Sequence, residues 1–187
     1  METLIELDKA LFVYLNSLGS ENYDLIWLFI TDKKSSIPLY LILIYFLCKK
    51  FLLKDLFKYL FITLLLILFT DQISGFFKDY FERLRPCHDQ EINSYIRIVK
   101  QGCGGLFGFF SSHAANSFGL ATFFYLTLKN YSNLFKYLFL WALIVSYSRI
   151  YVGVHFPIDI ISGIYFGIFS GYIFSLIFLK KNIFNVL

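Results

Sequence analysis

The chain has 187 residues, a formal net charge of +4, 58% hydrophobic residues and only 16% charged ones. A soluble domain carries roughly 45–50% apolar and about 25% charged residues, so this composition excludes one and points to an integral membrane protein. The positive balance does not indicate nucleic acid, because the lysines sit mostly in short connections between apolar segments.

In chain order, Leu4 to Leu18 is amphipathic, Gly19-Ser20-Glu21-Asn22 is a break, and Tyr23 to Ile30 is a short apolar stretch. These predict two short helices, one spanning or both re-entrant at one interface. Met1 to Asp8 is acidic and no small-residue cleavage site follows, so no cleavable signal peptide is expected. Five membrane helices are then predicted near 37–48, 56–77, 112–128, 134–150 and 157–179. At 1.5 Å per residue the longest reaches roughly 35 Å and the shortest about 18 Å, so the short one extends past its apolar part or lies partly in the interface. No repeat, low-complexity tract or linker divides the chain. The expected architecture is one all-α domain over 1–187, a polytopic membrane bundle of five to six transmembrane helices.

Lysine placement predicts the orientation. Lys49, Lys50, Lys54 and Lys58, then Lys129 and Lys136, then Lys180 and Lys181 fall on one side if the five spans alternate, and that side is cytoplasmic. Lys33 and Lys34 run against the rule. The connections 79–110 and 150–156 then face outward.

The same side carries three clusters, in those connections and at the helix ends that flank them: Lys78, Arg85 and Pro86; Ser111, Ser112 and His113; and Ser148, Arg149, His155 and Asp159. Each has a bland reading. Lys78 can snorkel at a membrane edge, the serines can cap a helix, and Arg149 can complement a helix dipole. Jointly they suit a phosphoryl group: three cations for its oxygens, one histidine to attack phosphorus and another to protonate the leaving oxygen. Asp159, four residues after His155 and across Pro157 at a helix start, can accept the far N–H of His155 and fix its tautomer. In so apolar a chain the substrate expected is a phosphate carried by a lipid.

The clusters resemble the three signature motifs of the type 2 phosphatidic acid phosphatase superfamily, the lipid phosphate phosphatases, which share their site with vanadium-dependent haloperoxidases. The first and third match in full. The second, P-S-G-H in the family, reads Phe110-Ser111-Ser112-His113 here, so the proline and glycine are replaced. The resemblance implies that His155 is the nucleophile and forms a phosphohistidine, that Asp159 orients it, and that His113 is the general acid. It implies that Lys78, Arg85, Arg149, Ser111 and the Ser112 N–H cradle the phosphate. Three cations then stand where other phosphatases use metal, so no metal and no cofactor are expected, and no Cys/His or paired-carboxylate spacing argues for one.

The expected activity is removal of a phosphate from a lipid phosphate or diphosphate at the outer face of a bacterial inner (cytoplasmic) membrane. Undecaprenyl diphosphate is favoured by analogy, with lipid A phosphates, phosphatidylglycerophosphate and phosphatidic acid as alternatives and phosphotransfer to an alcohol as a second chemistry. A lipid-phosphate binding or transport protein is the non-enzymatic rival, though binding alone needs only the cations. A haloperoxidase is disfavoured by the lack of a soluble core. The expected partners are the lipid substrate and the bilayer; oligomeric state is left open.

Asp71, with Gln72 and Ser74 in an apolar helix, reads equally as a partner for a site cation or a structural hydrogen-bonding residue. Asn116 and Ser117 read as packing contacts, and His88 and Arg97 as solvated loop residues. Cys87 and Cys103 share the outward connection, an oxidising side, and are expected to form a disulfide, leaving Cys48 free near the cytoplasmic end of its helix.

Overall fold

The computed structural model describes residues 2–100 and 102–183; Met1, Gln101 and residues 184–187, which the single-domain reading also takes in, lie outside the described residues. Among the described residues seven α-helices form in order: α1 (Glu2–Ser17), α2 (Glu21–Thr31), α3 (Ile37–Lys50), α4 (Leu53–Phe81), α5 (Ser112–Leu128), α6 (Leu138–Tyr151) and α7 (Pro157–Ile183). The protein is an all-α membrane bundle. Among the described residues two helices, α4 and α7, are long and apolar enough to cross a bilayer by themselves.

The differences from the expected boundaries have local causes. Glu21 and Asn22 open α2 rather than belonging to the break, and Glu21 with Asp24 meets the positive end of its dipole. α4 runs on to Phe81 and stops where Glu82 turns left-handed, so Lys78 sits in its last turn. α6 starts at Leu138 because Asn133–Tyr137 forms a 3-10 turn, with Ser132 Oγ accepting from the Leu134 N–H at 3.2 Å. α7 opens on Pro157, whose missing N–H costs nothing in a first turn.

α5 is the central helix. It is buried nearly all round and packs on α4, α6 and α7. The α5–α7 seam is made of small residues: Gly163, Gly167 and Gly171 of α7 lie every four residues against Ser111, Ala114, Ala115 and Gly119. A Cβ at Gly163 would stand 2.6 Å from the Ser111 carbonyl oxygen, and one at Gly171 2.5 Å from that of Gly119. Without hydrophobic drive between helices in lipid, this backbone contact is what association rests on. It also sets the register of Ser111 and His113 against Asp159. The outward faces of α4 and α7 carry exposed Phe57, Phe61, Leu64, Tyr165 and Phe169, as a lipid-facing surface requires.

The N-terminal pair docks on the same end of the bundle. Asn16 of α1 is buried, and its amide nitrogen donates to the carbonyls of Ile150 and Tyr151 at 3.1 and 3.0 Å. Both carbonyls belong to the last turn of α6, where helices run out of intrahelical donors. Its Oδ1 accepts from the Arg97 N–H at 2.7 Å, so one side chain ties α1, α6 and the long connection together. Trp27 of α2 stacks on Tyr151 with centroids 4.9 Å apart. Arg97, expected in a solvated loop, instead pairs with Asp24 at 2.8 Å, because this docking brings α2 over it. The 82–111 connection is clamped by a Leu84–Phe107 bridge and by a Cys87–Cys103 disulfide with Cα atoms 6.4 Å apart. Cys48 is free and exposed.

Candidate active site

The residues singled out by their pattern converge at one end of the bundle, delivered by helix ends. Lys78 comes from the last turn of α4, Arg149 from that of α6, His113 from the first turn of α5 and Asp159 from that of α7. His155 lies in the short connection between α6 and α7, and Arg85 just before the Pro86–His88 turn. Arg85, Arg149, His155 and Asp159 are all buried.

Each cation is held by some of its donors while others are left over. Lys78 Nζ donates to Ser74 Oγ at 2.8 Å and Ser112 Oγ at 2.5 Å. Arg85 donates from Nε to the Phe107 carbonyl at 3.0 Å and from Nη1 to that of Cys103 at 3.1 Å. Arg149 Nη1 donates to Thr31 Oγ1, and its Nε is buried without a hydrogen-bond partner among the described residues. A buried guanidinium N–H with no acceptor costs about 1–3 kcal/mol or more, which an anion in the site would recover.

His155 is pressed well below its ordinary pKa, first by burial and then by the charges of Arg149, Arg85 and Lys78, with a backbone hydrogen bond to Gly108 opposing. Burial and the three cations therefore favour the neutral imidazole over imidazolium. Its Nδ1 lies 3.4 Å from Asp159 Oδ2, a long contact in which a proton on Nδ1 would leave the lone pair on Nε2. Oδ2 also accepts from the Phe156 N–H at 3.0 Å. Gly108 is closely packed here, since a Cβ would stand 3.0 Å from Asp159 Oδ2 and 3.3 Å from the Arg85 side chain.

Arg83, Asp8 and Thr31 were not singled out from the sequence, and Ser74 was named only beside Asp71. Arg83 donates from Nη1 to Asp159 Oδ1 at 2.7 Å and from Nη2 to Asp8 Oδ2 at 2.5 Å, and its guanidinium lies 4.3 Å from the Phe156 ring centroid. Asp8 Oδ1 in turn accepts from the Ile158 N–H at 2.9 Å. Two carboxylates buried to 1% and 0% side-chain exposure thus share one arginine, which leaves Oδ2 of Asp159 to His155. Thr31 braces Arg149, and Ser74 rather than Asp71 holds Lys78. The only sequence signals were a charge in an amphipathic helix and a second arginine in Arg83-Leu84-Arg85, neither of which specifies a partner.

The remaining residues divide. Ser111 supports the frame: its N–H donates to the Asp159 carbonyl at 3.0 Å and its Oγ accepts a long 3.5 Å cap from Ala114. Ser112 turns its hydroxyl to Lys78 and Ser74. Asn116 bonds Thr70, and Ser117 Oγ donates to the His113 carbonyl at 2.8 Å, both packing contacts. Asp71 is exposed, with no hydrogen bond among the described residues. Cys87, His88 and Cys103 lie within reach of one another, but the two thiols are joined, so they do not offer a metal centre.

Residues 55–183 match the PAP2 superfamily. The chain is 37% identical over 180 residues to a lipid A 4'-phosphatase of Bacteroides thetaiotaomicron, covering 95% of this chain and 79% of that one. It is 35% identical over 175 residues to a lipid A 4'-phosphatase of Porphyromonas gingivalis, covering 92% and 73%. Two crystal structures share the fold. Aquifex aeolicus LpxE has a TM-score of 0.65 at 24% identity, over 88% of this chain and 92% of that one. A PAP2-type phosphatidylglycerolphosphate phosphatase of Bacillus subtilis has a TM-score of 0.71 at 20% identity, over 96% and 88%. The fold and these relatives define a membrane phosphatase. The chain belongs to the PAP2 superfamily.

Proposed function

We propose that the protein hydrolyses the 4'-phosphate of a lipid A-type glycolipid, without metal, at the outer face of a bacterial inner membrane. The observation that carries the substrate is the pair of lipid A 4'-phosphatases that align with 95% and 92% of the chain. Undecaprenyl diphosphate, favoured from the sequence, has no support from these relatives, whereas the lipid A alternative fits them.

In this reading His155 Nε2 attacks phosphorus, the bond to the sugar oxygen breaks, and His113 gives that oxygen its proton. Water then attacks the phosphohistidine, His113 takes a proton from it, and phosphate leaves with His155 restored. Lys78, Arg85 and Arg149 stabilise the charge on the phosphoryl oxygens through their uncommitted donors. The Ser112 N–H, at the start of α5, adds to the cradle. Asp159 acts through His155 and is itself steadied by Arg83.

Purified protein given bisphosphorylated lipid A in EDTA tests this by mass spectrometry. The expected product has lost the 4'-phosphate and kept the 1-phosphate. Loss of the 1-phosphate alone, or turnover confined to undecaprenyl diphosphate or phosphatidic acid, refutes it. A strict metal requirement contradicts the three-cation mechanism.

A further inference from the structure

We propose that the cavity beyond His113 is a binding subsite for the sugar that leaves with the ester oxygen, and that Asp71 accepts hydrogen bonds from its hydroxyl or amide groups. This rests on the glycolipid reading above. The cavity holds about 270 Å³ and is walled by Ser112 and His113 on one side and by α3, α4 and α6 on the others. That volume is near the lower end of the roughly 300–1,000 Å³ of small-molecule sites, which suits one ring rather than a whole lipid.

Its position follows from the chemistry. The general acid must face the leaving oxygen, so the alcohol lies on the His113 side, away from His155. The larger cavity, about 800 Å³ between α1 and the 83–91 segment, has Arg83 and Phe156 in its wall and none of the eight candidate site residues. His155 and Asp159 are not in its lining, and Arg83, which is, pairs with Asp159 at 2.7 Å.

The lining says what the cavity takes. Asp71 is an exposed carboxylate inside the membrane-crossing run of α4, with neither hydrogen bond nor ion pair among the described residues. Such a group is costly at membrane depth unless it faces a polar occupant. It is seven residues before Lys78, hence about 10 Å along the helix and on nearly the same face. A phosphate held by Lys78 would place the ring it esterifies at that depth. Asn116 has its Oδ1 taken by Thr70, leaving its amide N–H groups as donors. Asp32 and Lys33 line the cavity rim, which gives Lys33 a use despite its place against the lysine asymmetry. Tyr40 and Trp141, with ring centroids 6.3 Å apart, supply the apolar faces that sugar C–H groups stack on. Acceptors, donors and aromatics together suit a sugar; a bare anion site would hold cations alone. Phosphatidate and polyprenyl phosphates bring no hydroxyl or amide beside the ester, and would leave Asp71 unanswered.

The test compares kcat/KM for a 4'-phosphorylated glycolipid with that for phosphatidic acid, in detergent, for wild type and Asp71→Asn. The glycolipid-to-phosphatidate ratio is expected to fall at least tenfold in the variant, mostly through KM. An unchanged ratio overturns the subsite alone. A wild type that hydrolyses phosphatidate but not glycolipid overturns the substrate reading and the subsite with it. A second measurement needs no variant: dephosphorylated glycolipid should inhibit phosphatidate hydrolysis by the wild type at concentrations at least tenfold below those at which diacylglycerol does. Equal inhibition removes the subsite.

Discussion

Lys78, Arg149, His113 and Asp159 are delivered by the ends of α4 to α7, whereas Asp8 and Thr31, which hold the site from behind, come from α1 and α2. The first set needs only helices that start and stop in the right places, and its members announce themselves by charge next to apolar runs. The second set works through contacts between elements 70 to 150 residues apart in sequence. Arg83 to Asp8 closes the site from α1, and Arg149 to Thr31 closes it from α2. In the proposed mechanism the difference is between groups that would touch the phosphoryl group and groups that fix where those groups stand. Variants in the first set should lose chemistry while the fold remains; variants in the second should lose both in part.

The largest effect is expected at His155. His155→Ala removes the nitrogen proposed to attack phosphorus and should lower kcat by at least about 1,000-fold, with helical content and detergent behaviour unchanged. Activity within tenfold of wild type would sink the assignment. Single Ala variants at Lys78, Arg85 and Arg149 should each cost about 2–4 kcal/mol of transition-state stabilisation, roughly 30- to 1,000-fold in kcat/KM. Thr31→Val is the direct contrast, because it removes the brace of Arg149 and leaves the charge. A loss about as large as in Arg149→Ala would mean that position, and not charge alone, carries that cation's contribution; a loss of roughly tenfold is expected.

Arg83 breaks the comparison from the other side. Arg83→Gln strands two buried carboxylates and should destabilise the protein by about 3–5 kcal/mol, against about 1.5–3 kcal/mol for Asp8→Asn, which leaves the Arg83–Asp159 pair in place. Both are read from thermal melts in detergent, and Arg83→Lys should recover part of the activity. A purely packing role for Arg83 predicts melts that shift while the pH profile stays fixed. A positioning role through Asp159 and His155 predicts that the acid limb of kcat/KM moves as well. In the wild type that limb should lie below the ordinary histidine pKa of about 6.5, because burial and three cations disfavour imidazolium and keep His155 neutral as pH falls through that value. An acid limb near 6.5 or above would contradict the neutral nucleophile.

How much was legible follows the same division. Helix ends, the three cations and both histidines are local patterns, and α3 to α7 appear where apolar runs predicted them. The lost residues are those whose meaning depends on a partner. Asp8 and Asn16 are single polar groups in an amphipathic helix, and nothing in the sequence says that they meet Arg83 and the end of α6. Ser74 and Asp71 illustrate the limit, since only the rotation of α4 against α5 decides that Ser74 reaches Lys78 while Asp71 faces the cavity. The Gly163, Gly167 and Gly171 row was readable as a four-residue repeat of the smallest residue in an apolar run, the usual sign of close helix contact.

The smallest effect on catalysis is expected at the disulfide, and it separates stability from positioning within one segment. Cys103 offers its carbonyl to Arg85 Nη1, and Cys87 lies two residues beyond Arg85, so both ends of the bridge attach to that cation. Closing a loop of this size is worth about 3 kcal/mol in the chain-entropy model, so a Cys87→Ser/Cys103→Ser variant should melt well below the wild type. Its kcat/KM should fall only about three- to tenfold, because other ties to the segment survive: Arg85 Nε to the Phe107 carbonyl at 3.0 Å, the Arg85 N–H to that of Leu106 at 3.1 Å, and the Gly108 N–H to that of Arg83 at 2.8 Å. A loss as large as that of Arg85→Ala would show that the bridge alone places the guanidinium. Unchanged kcat/KM at a lowered melting temperature would assign the bridge to folding only and leave the backbone of 106–108 as what holds Arg85 to the phosphate.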